Sequence, residues 1–182
     1  MISIAKNLMV DALKNILKSK KKTLGKITVN DIIEEAGVSK QTFYNYFHDK
    51  FDLFSYAVVT VLNDNLVSSE KRACNFQETI LNYYRTVRTE EEFYRSFIRD
   101  LSAREQIFSC IMDFSESYFR QKASEMFGEG NTPEDVTLAI QFCSVGNAKL
   151  VVDWIMDKMV RTPEAMAEIT FRCIPSILLP LL

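Results

Sequence analysis

The sequence predicts an all-α fold of about nine helices. Apolar residues recur at three- and four-residue spacing along most of the chain. Helix-capping residues punctuate these runs, and only five Gly and four Pro interrupt 182 residues. No stretch reads as a ladder of strands, an internal repeat or a low-complexity linker. At 47% hydrophobic content the chain can bury the core of one or two domains.

Taken in order, residues 3–19 read as an amphipathic helix. Ile4, Leu8, Ala12 and Ile16 make one stripe, widened by Val10, Leu13 and Leu17. A basic segment follows from Lys18 to Lys26, read mainly as a solvated connection. Thr28 then caps a short helix carrying Ile32 and Ala36 on one face. Gly37 ends it, where positive φ is wanted, and Val38 plugs the corner. Ser39 caps a second short helix in which Phe43 and Phe47 point inward. Its remaining surface carries Lys40, Gln41, Thr42, Tyr44, Asn45 and Tyr46. Amides can pair bidentately with adenine, an ammonium can reach guanine, and hydroxyls can bond phosphate.

Asp49 caps a fourth helix running to about residue 69, with Leu53, Phe54, Ala57, Val58, Val61 and Leu62 inward. Lys50 in its first turn opposes the helix dipole, a cost that a bound phosphate would offset. Phe76 opens the next helix. Thr89–Glu92 and Ser102–Glu105 read as capping boxes for the two after it. Gly128 and Gly130 stop the long helix after Ser102. Thr132-Pro133 restarts one with Pro at its first position, running to about Met159. Thr162-Pro163 opens the last, interrupted by Pro175 and Pro180.

The segment from Thr28 to Leu53 resembles the DNA-binding domain of TetR-family transcription regulators. The resemblance rests on the opening Thr28, the turn Ala36-Gly37-Val38-Ser39 and the pattern Tyr44-x-x-Phe47-x-x-Lys50. It implies a helix-turn-helix DNA-binding domain over residues 1–50 and a helical regulatory and dimerisation domain over 51–182. It implies DNA contacts at Thr28, Ser39, Lys40, Gln41, Thr42, Tyr44, Asn45, Tyr46, His48 and Lys50, with His48 and Lys50 at the backbone. It also implies a homodimer through the last two helices, binding a palindromic operator. Trp154-Ile155-Met156-Asp157 followed by Thr162-Pro163-Glu164 is loosely similar to the dihydroxyacetone-kinase operon regulators within that family.

Charge fits this division. Residues 1–50 carry nine Lys and no Arg against five acids, for +4, and residues 51–182 carry −6. The two C-terminal helices are apolar around much of their circumference: Val145, Ala148, Val152, Ile155, Met156 and Met159 on one, Met166, Ile169, Ile174 and Leu178 on the other. A second copy is the natural cover for the surplus. Aromatic residues in the body, Tyr84, Phe97, Phe108, Phe114, Tyr118 and Trp154, are candidates to line an effector pocket, with Tyr83 and Phe93 beside them. The effector is an unidentified small molecule.

Catalysis is not expected. His48 is the single histidine, and no GxSxG, HExxH, CxxC or Gly-rich phosphate loop is present. Cys74, Cys110, Cys143 and Cys173 are too scattered to suggest a metal set and read as reduced, mostly buried thiols. No cofactor is expected. The N-terminus lacks signal-peptide features and no continuous apolar run reaches membrane-spanning length, which points to the cytoplasm. The expected function is a DNA-binding regulator, a repressor released by a small effector. The alternative is a helix-turn-helix interaction protein or activator controlled by a protein partner.

Overall fold

A computed structural model of the chain describes residues 4–19, 23–70, 75–97 and 100–182, with the side chains of 64–70, 96–97 and 102 left out. The expectations for Cys74, the side chain of Phe97 and Lys20–Lys22 lie outside the described residues. Among the described residues there are nine α-helices and no strand: α1 (Ile4–Ser19), α2 (Val29–Ala36), α3 (Lys40–Tyr44), α4 (Lys50–Glu70), α5 (Phe76–Thr89), α6 (Glu91–Phe97), α7 (Leu101–Phe127), α8 (Glu134–Met156) and α9 (Pro163–Arg172). Short 3₁₀ turns precede α2 (Leu24–Lys26) and follow α9 (Ser176–Leu181).

Three caps of the N-terminal module are formed by the residues the sequence nominates. Thr28 Oγ1 accepts from Asp31 N at 3.1 Å, and Asp31 Oδ2 accepts from Thr28 N at 2.9 Å, a reciprocal capping box. Ser39 Oγ accepts from Thr42 N at 3.0 Å. Asp49 Oδ1 accepts from Phe51 N and Asp52 N, and Asp52 Oδ2 accepts from His48 N at 3.0 Å. Gly37 ends α2 at φ 64°, with Val38 N donating to Ile33 O at 3.2 Å; an L side chain is strained in that conformation.

Elsewhere the ends shift. α1 buries Ala12, Leu13, Ile16 and Leu17 as expected, together with Met9, whereas Ile4 and Leu8 at the start of the expected stripe are exposed. The reason is tertiary: α1 is covered by α2, α4 and α6, and these leave Ile4 and Leu8 uncovered. Thr89 does not cap α6; its hydroxyl donates to Thr86 O within α5, and the backbone of Glu90 makes the corner. α7 opens at Leu101 rather than after Ser102, because Asp100 accepts from Ala103 N and Arg104 N. Pro133 sits at the cap of α8 instead of inside its first turn, a one-residue difference. The last turn of α8 closes through Met159 N to Trp154 O at 2.8 Å, with Lys158 and Met159 both left-handed.

α4 joins the two layers, packing on α1 at one side and on α5 and α7 at the other. Leu53, Phe54, Ala57, Val58, Val61 and Leu62 are all buried, as its periodicity predicts. α7 and α8 pack along their lengths, and α9 lies on α5. α8 alone among the described helices is long and apolar enough to cross a membrane, with mean hydropathy 1.2. Here one face of it packs into the chain, burying Ile140, Ala148, Val151 and Ile155, while an exposed Lys149–Asp153 pair lies outside.

Candidate nucleic-acid interface and body cavity

The module's outer face follows from what its inner face buries. Phe43 and Phe47 are buried with ring centroids 5.9 Å apart, and Phe47 meets Tyr56 of α4 at 5.4 Å. Helical geometry then turns Lys40, Gln41, Tyr44 and Asn45 outward, and all four are exposed. Although α3 is only five residues long, Asn45 N and Phe47 N still donate four residues back, so the helical path reaches Phe47. Tyr44 is 50% exposed and stands edge-on against Phe43 at 5.4 Å, which fixes the ring while leaving its phenol outward. Tyr46 and His48 are exposed, and Thr42 is half-buried with its hydroxyl 2.8 Å from Ser39 Oγ.

Four of the nominated groups, Thr28, Ser39, Thr42 and Lys50, are already engaged. Thr28 and Ser39 direct their hydroxyls to caps and present only their remaining hydrogen-bonding capacity outward. Lys50 donates to Gly25 O at 2.9 Å and Ile27 O at 2.7 Å. Two carbonyls therefore offset the dipole cost of that cation, and one of its three N–H groups is left over for a phosphate. Lys50 thus holds the start of α4 to the strand of chain entering α2.

Two further positioning groups escape sequence reading. Lys6 lies over Tyr56 at 4.7 Å, Tyr46 at 5.6 Å and Phe47 at 5.8 Å, bracing α1 against the end of the recognition segment. Asp100 Oδ2 accepts from Gly25 N at 2.7 Å, tying the module to the start of α7. A Cβ at Gly25 would lie 2.7 Å from that oxygen, so any side chain there makes the Asp100 carboxylate shift. Lys14 and Lys18 of α1 pair with Glu90 at 3.4 and 3.0 Å. Burial raises the Glu90 carboxyl, but the two ammonium groups outweigh it and hold the group below the ordinary value.

The body holds a partly open cavity of about 290 Å³ between α4, α5, α7, α8 and α9, with exposed Phe142, Gly146 and Cys173 among its lining residues. Tyr84, Phe114 and Tyr118 line it, as does Tyr83. Phe108 is not among its described lining residues. Neither is Trp154, which is buried behind Tyr84, edge-on at 5.2 Å, with Nε1 donating to Arg161 O. Phe93 packs instead on Phe54, under Lys14. The polar members come as pairs. Asn147 Nδ2 donates to Ser115 Oγ at 2.9 Å, and the hydroxyls of Tyr84 and Thr170 lie 2.7 Å apart. Burial pushes the Tyr84 phenol up to about 12 and, with Cys173 nearby, the Cys143 thiol up to about 11. The sequence carries a signal for one wall: Cys143, Asn147 and Leu150 share a face of α8 at helical spacing. Of the cysteines, Cys110 is buried, Cys143 half-buried and Cys173 exposed. Among the described residues no cluster of three His, Cys, Asp or Glu is placed to hold a metal.

Comparison with known proteins bears on both regions. Residues 21–57 match the model for "Bacterial regulatory proteins, tetR family", and residues 74–176 match the model for "Transcriptional regulator C-terminal region". No curated protein matches. Among solved structures, the chain is similar to the dihydroxyacetone kinase operon activator DhaS, at 17% identity over 97% of this chain and 95% of that one, TM-score 0.59. A TetR transcriptional regulator from Streptococcus agalactiae 2603V is also 17% identical over 93% of each chain, TM-score 0.59. The fatty acid degradation regulator FadR from Bacillus halodurans is 16% identical over 96% of each, TM-score 0.58. At such identities these structures share the fold.

Proposed function

The chain belongs to the TetR family of bacterial regulatory proteins, and from that premise we propose a dimeric, sequence-specific DNA-binding regulator of transcription in the cytoplasm. One observation carries the reading: α3 exposes Gln41, Tyr44 and Asn45 over a rigid aromatic base of Phe43 and Phe47. Gln41 and Asn45 suit base edges. Lys40, Thr42, Tyr44, Tyr46, His48 and the third N–H of Lys50 suit base edges at the rim or phosphate.

Dimerisation is read from α8. Leu138, Phe142 and Val145 are 58, 75 and 47% exposed, Phe142 also lying in the cavity lining, and Lys149, Val152 and Met156 continue the same four-three spacing. This stripe differs in part from the surface expected from sequence, since Ala148, Ile155, Met159, Met166 and Leu178 are buried within the chain. A second copy laid along it brings two recognition helices to one duplex, whose half-sites lie roughly 34–36 Å apart.

Control is read as repression relieved when a small molecule fills the body cavity and favours a geometry that fits the operator poorly. The similar structure named as an operon activator supports a second reading, activation in concert with a protein partner. Selection from a random duplex pool tests the primary claim. It should enrich a palindrome with half-sites about one turn apart. Transcription from that duplex in vitro then gives the sign of control. A pool that enriches nothing above random sequence overturns the reading.

A further inference from the structure

The cavity's own chemistry narrows what it holds; this inference rests on the proposed regulatory reading. Its described lining contains aromatic and aliphatic side chains with Ser115, Asn147, Thr170 and two cysteines, and no Asp, Glu, Lys, Arg or His among the described residues. Phe76 and Tyr118 stack at 5.8 Å to form one aromatic wall. Lys122 lies 5.8 Å over the ring of Tyr118, pairs with Glu125, and is not part of the lining.

We propose that this cavity takes an uncharged, mainly apolar molecule of roughly ten to fifteen non-hydrogen atoms, with one or two hydrogen-bonding groups read by Asn147–Ser115 and Tyr84–Thr170. The size follows from a volume near that of ten waters. Neutrality follows from the lining: an ion seated among these apolar side chains gives up part of its hydration without a described counter-charge. The same desolvation holds Tyr84 and Cys143 in their neutral forms. Polarity enters at two stations. Asn147 keeps its carbonyl oxygen and a second N–H beyond its bond to Ser115. Between Tyr84 and Thr170, whichever hydroxyl accepts keeps its own proton to donate. The first station joins α7 to α8 and the second joins α5 to α9, so a ligand that meets both touches four of the helices packed around it.

The chain reports its own occupancy. Trp154 is the single tryptophan and touches the back of Tyr84, so its fluorescence reads the cavity wall. Four matched probes would be titrated into the full-length protein: 3-phenylpropan-1-ol, 3-phenylpropionamide, 3-phenylpropionate and 3-phenylpropylamine. The alcohol and amide should shift the fluorescence and raise the melting temperature. The carboxylate and the ammonium should bind at least about tenfold more weakly. Propylbenzene, without a polar group, gives the baseline. In an Asn147→Leu/Thr170→Val variant the advantage of alcohol and amide over propylbenzene should vanish. The proposal is overturned if either ion binds as tightly as the alcohol, if no probe binds, or if the double variant keeps the polar advantage. The four-probe comparison on the wild-type protein stands even if that variant folds poorly. Duplex selection runs in parallel: an enriched operator with no neutral-probe binding sinks this inference alone, and probe binding with no enriched duplex sinks the regulatory reading alone.

Discussion

The recognition module and the helical body present their polar and apolar chemistry in opposite directions. In the module, rings face in and amides, hydroxyls and an ammonium face out around α3. In the body, rings surround a hollow, hydrogen-bonded polar pairs face that hollow, and an apolar stripe on α8 faces out. A surface that reads a polyanion needs hydrated donors on a fixed base. A surface that takes an uncharged ligand or a second copy needs desolvated area instead.

The sharpest way to break this comparison is within the module, at neighbouring residues. Phe43→Ala removes a fully buried ring and should cost about 3–5 kcal/mol, seen as early loss of amide protection in α1–α3. Tyr44→Ala, one residue on, should change stability by less than about 1 kcal/mol while weakening DNA binding strongly. If both variants lose DNA binding only in proportion to lost folding, α3 is structural and reads nothing.

Next in size is the outward stripe of the body. Phe142→Glu sets a carboxylate on the proposed seam and should leave a folded monomer at micromolar concentration by sedimentation velocity, with DNA affinity down about a hundredfold. An unchanged dimer would move the interface off α8.

The tie between the two regions comes third. Gly25→Ala forces Asp100 away from the Gly25 amide and should cost about 1–2 kcal/mol, with protection lost first at the turn before α2. Asp100→Asn should give a smaller loss, since an amide oxygen still accepts.

Smallest is the Glu90 cluster. Its folded pKa lies below the ordinary carboxylate value, so its stabilising contribution is present above that value and fades as pH falls through the folded pKa. Partial exposure and salt screening keep it below about 1 kcal/mol. Melting curves of wild type and Glu90→Gln should differ at pH 7 and converge as the pH falls through the folded pKa of Glu90. A gap that persists at low pH would mean that Glu90 acts by packing.

The sequence exposes the module more fully than the body, for a physical reason. Thr28, Gly37, Ser39 and Asp49 act within four residues of themselves, so their roles are written locally. The buried face of α4 was equally legible from its period. Misplaced features depend on distant partners. Ile4 and Leu8 continue a helical stripe but find nothing to cover them, and Thr89 resembles a cap but lies inside α5. Lys50 reads as a phosphate ligand, and its second role, the bonds to the Gly25 and Ile27 carbonyls more than twenty residues away, is not written locally. The cavity was legible only as a set of aromatics; which of them face it depends on how five helices meet.

The central claim is that the exposed side chains of α3 choose the DNA sequence. Fluorescence anisotropy on the selected palindrome and a scrambled duplex of equal length, at one fixed salt concentration, tests it most directly. Wild type should prefer the palindrome by about a thousandfold or more. Gln41→Ala should lose about 1–3 kcal/mol of that preference at one base pair per half-site while its affinity for the scrambled duplex stays the same. Equal binding of both duplexes by the wild type, or a Gln41→Ala protein with its preference intact, would contradict the claim.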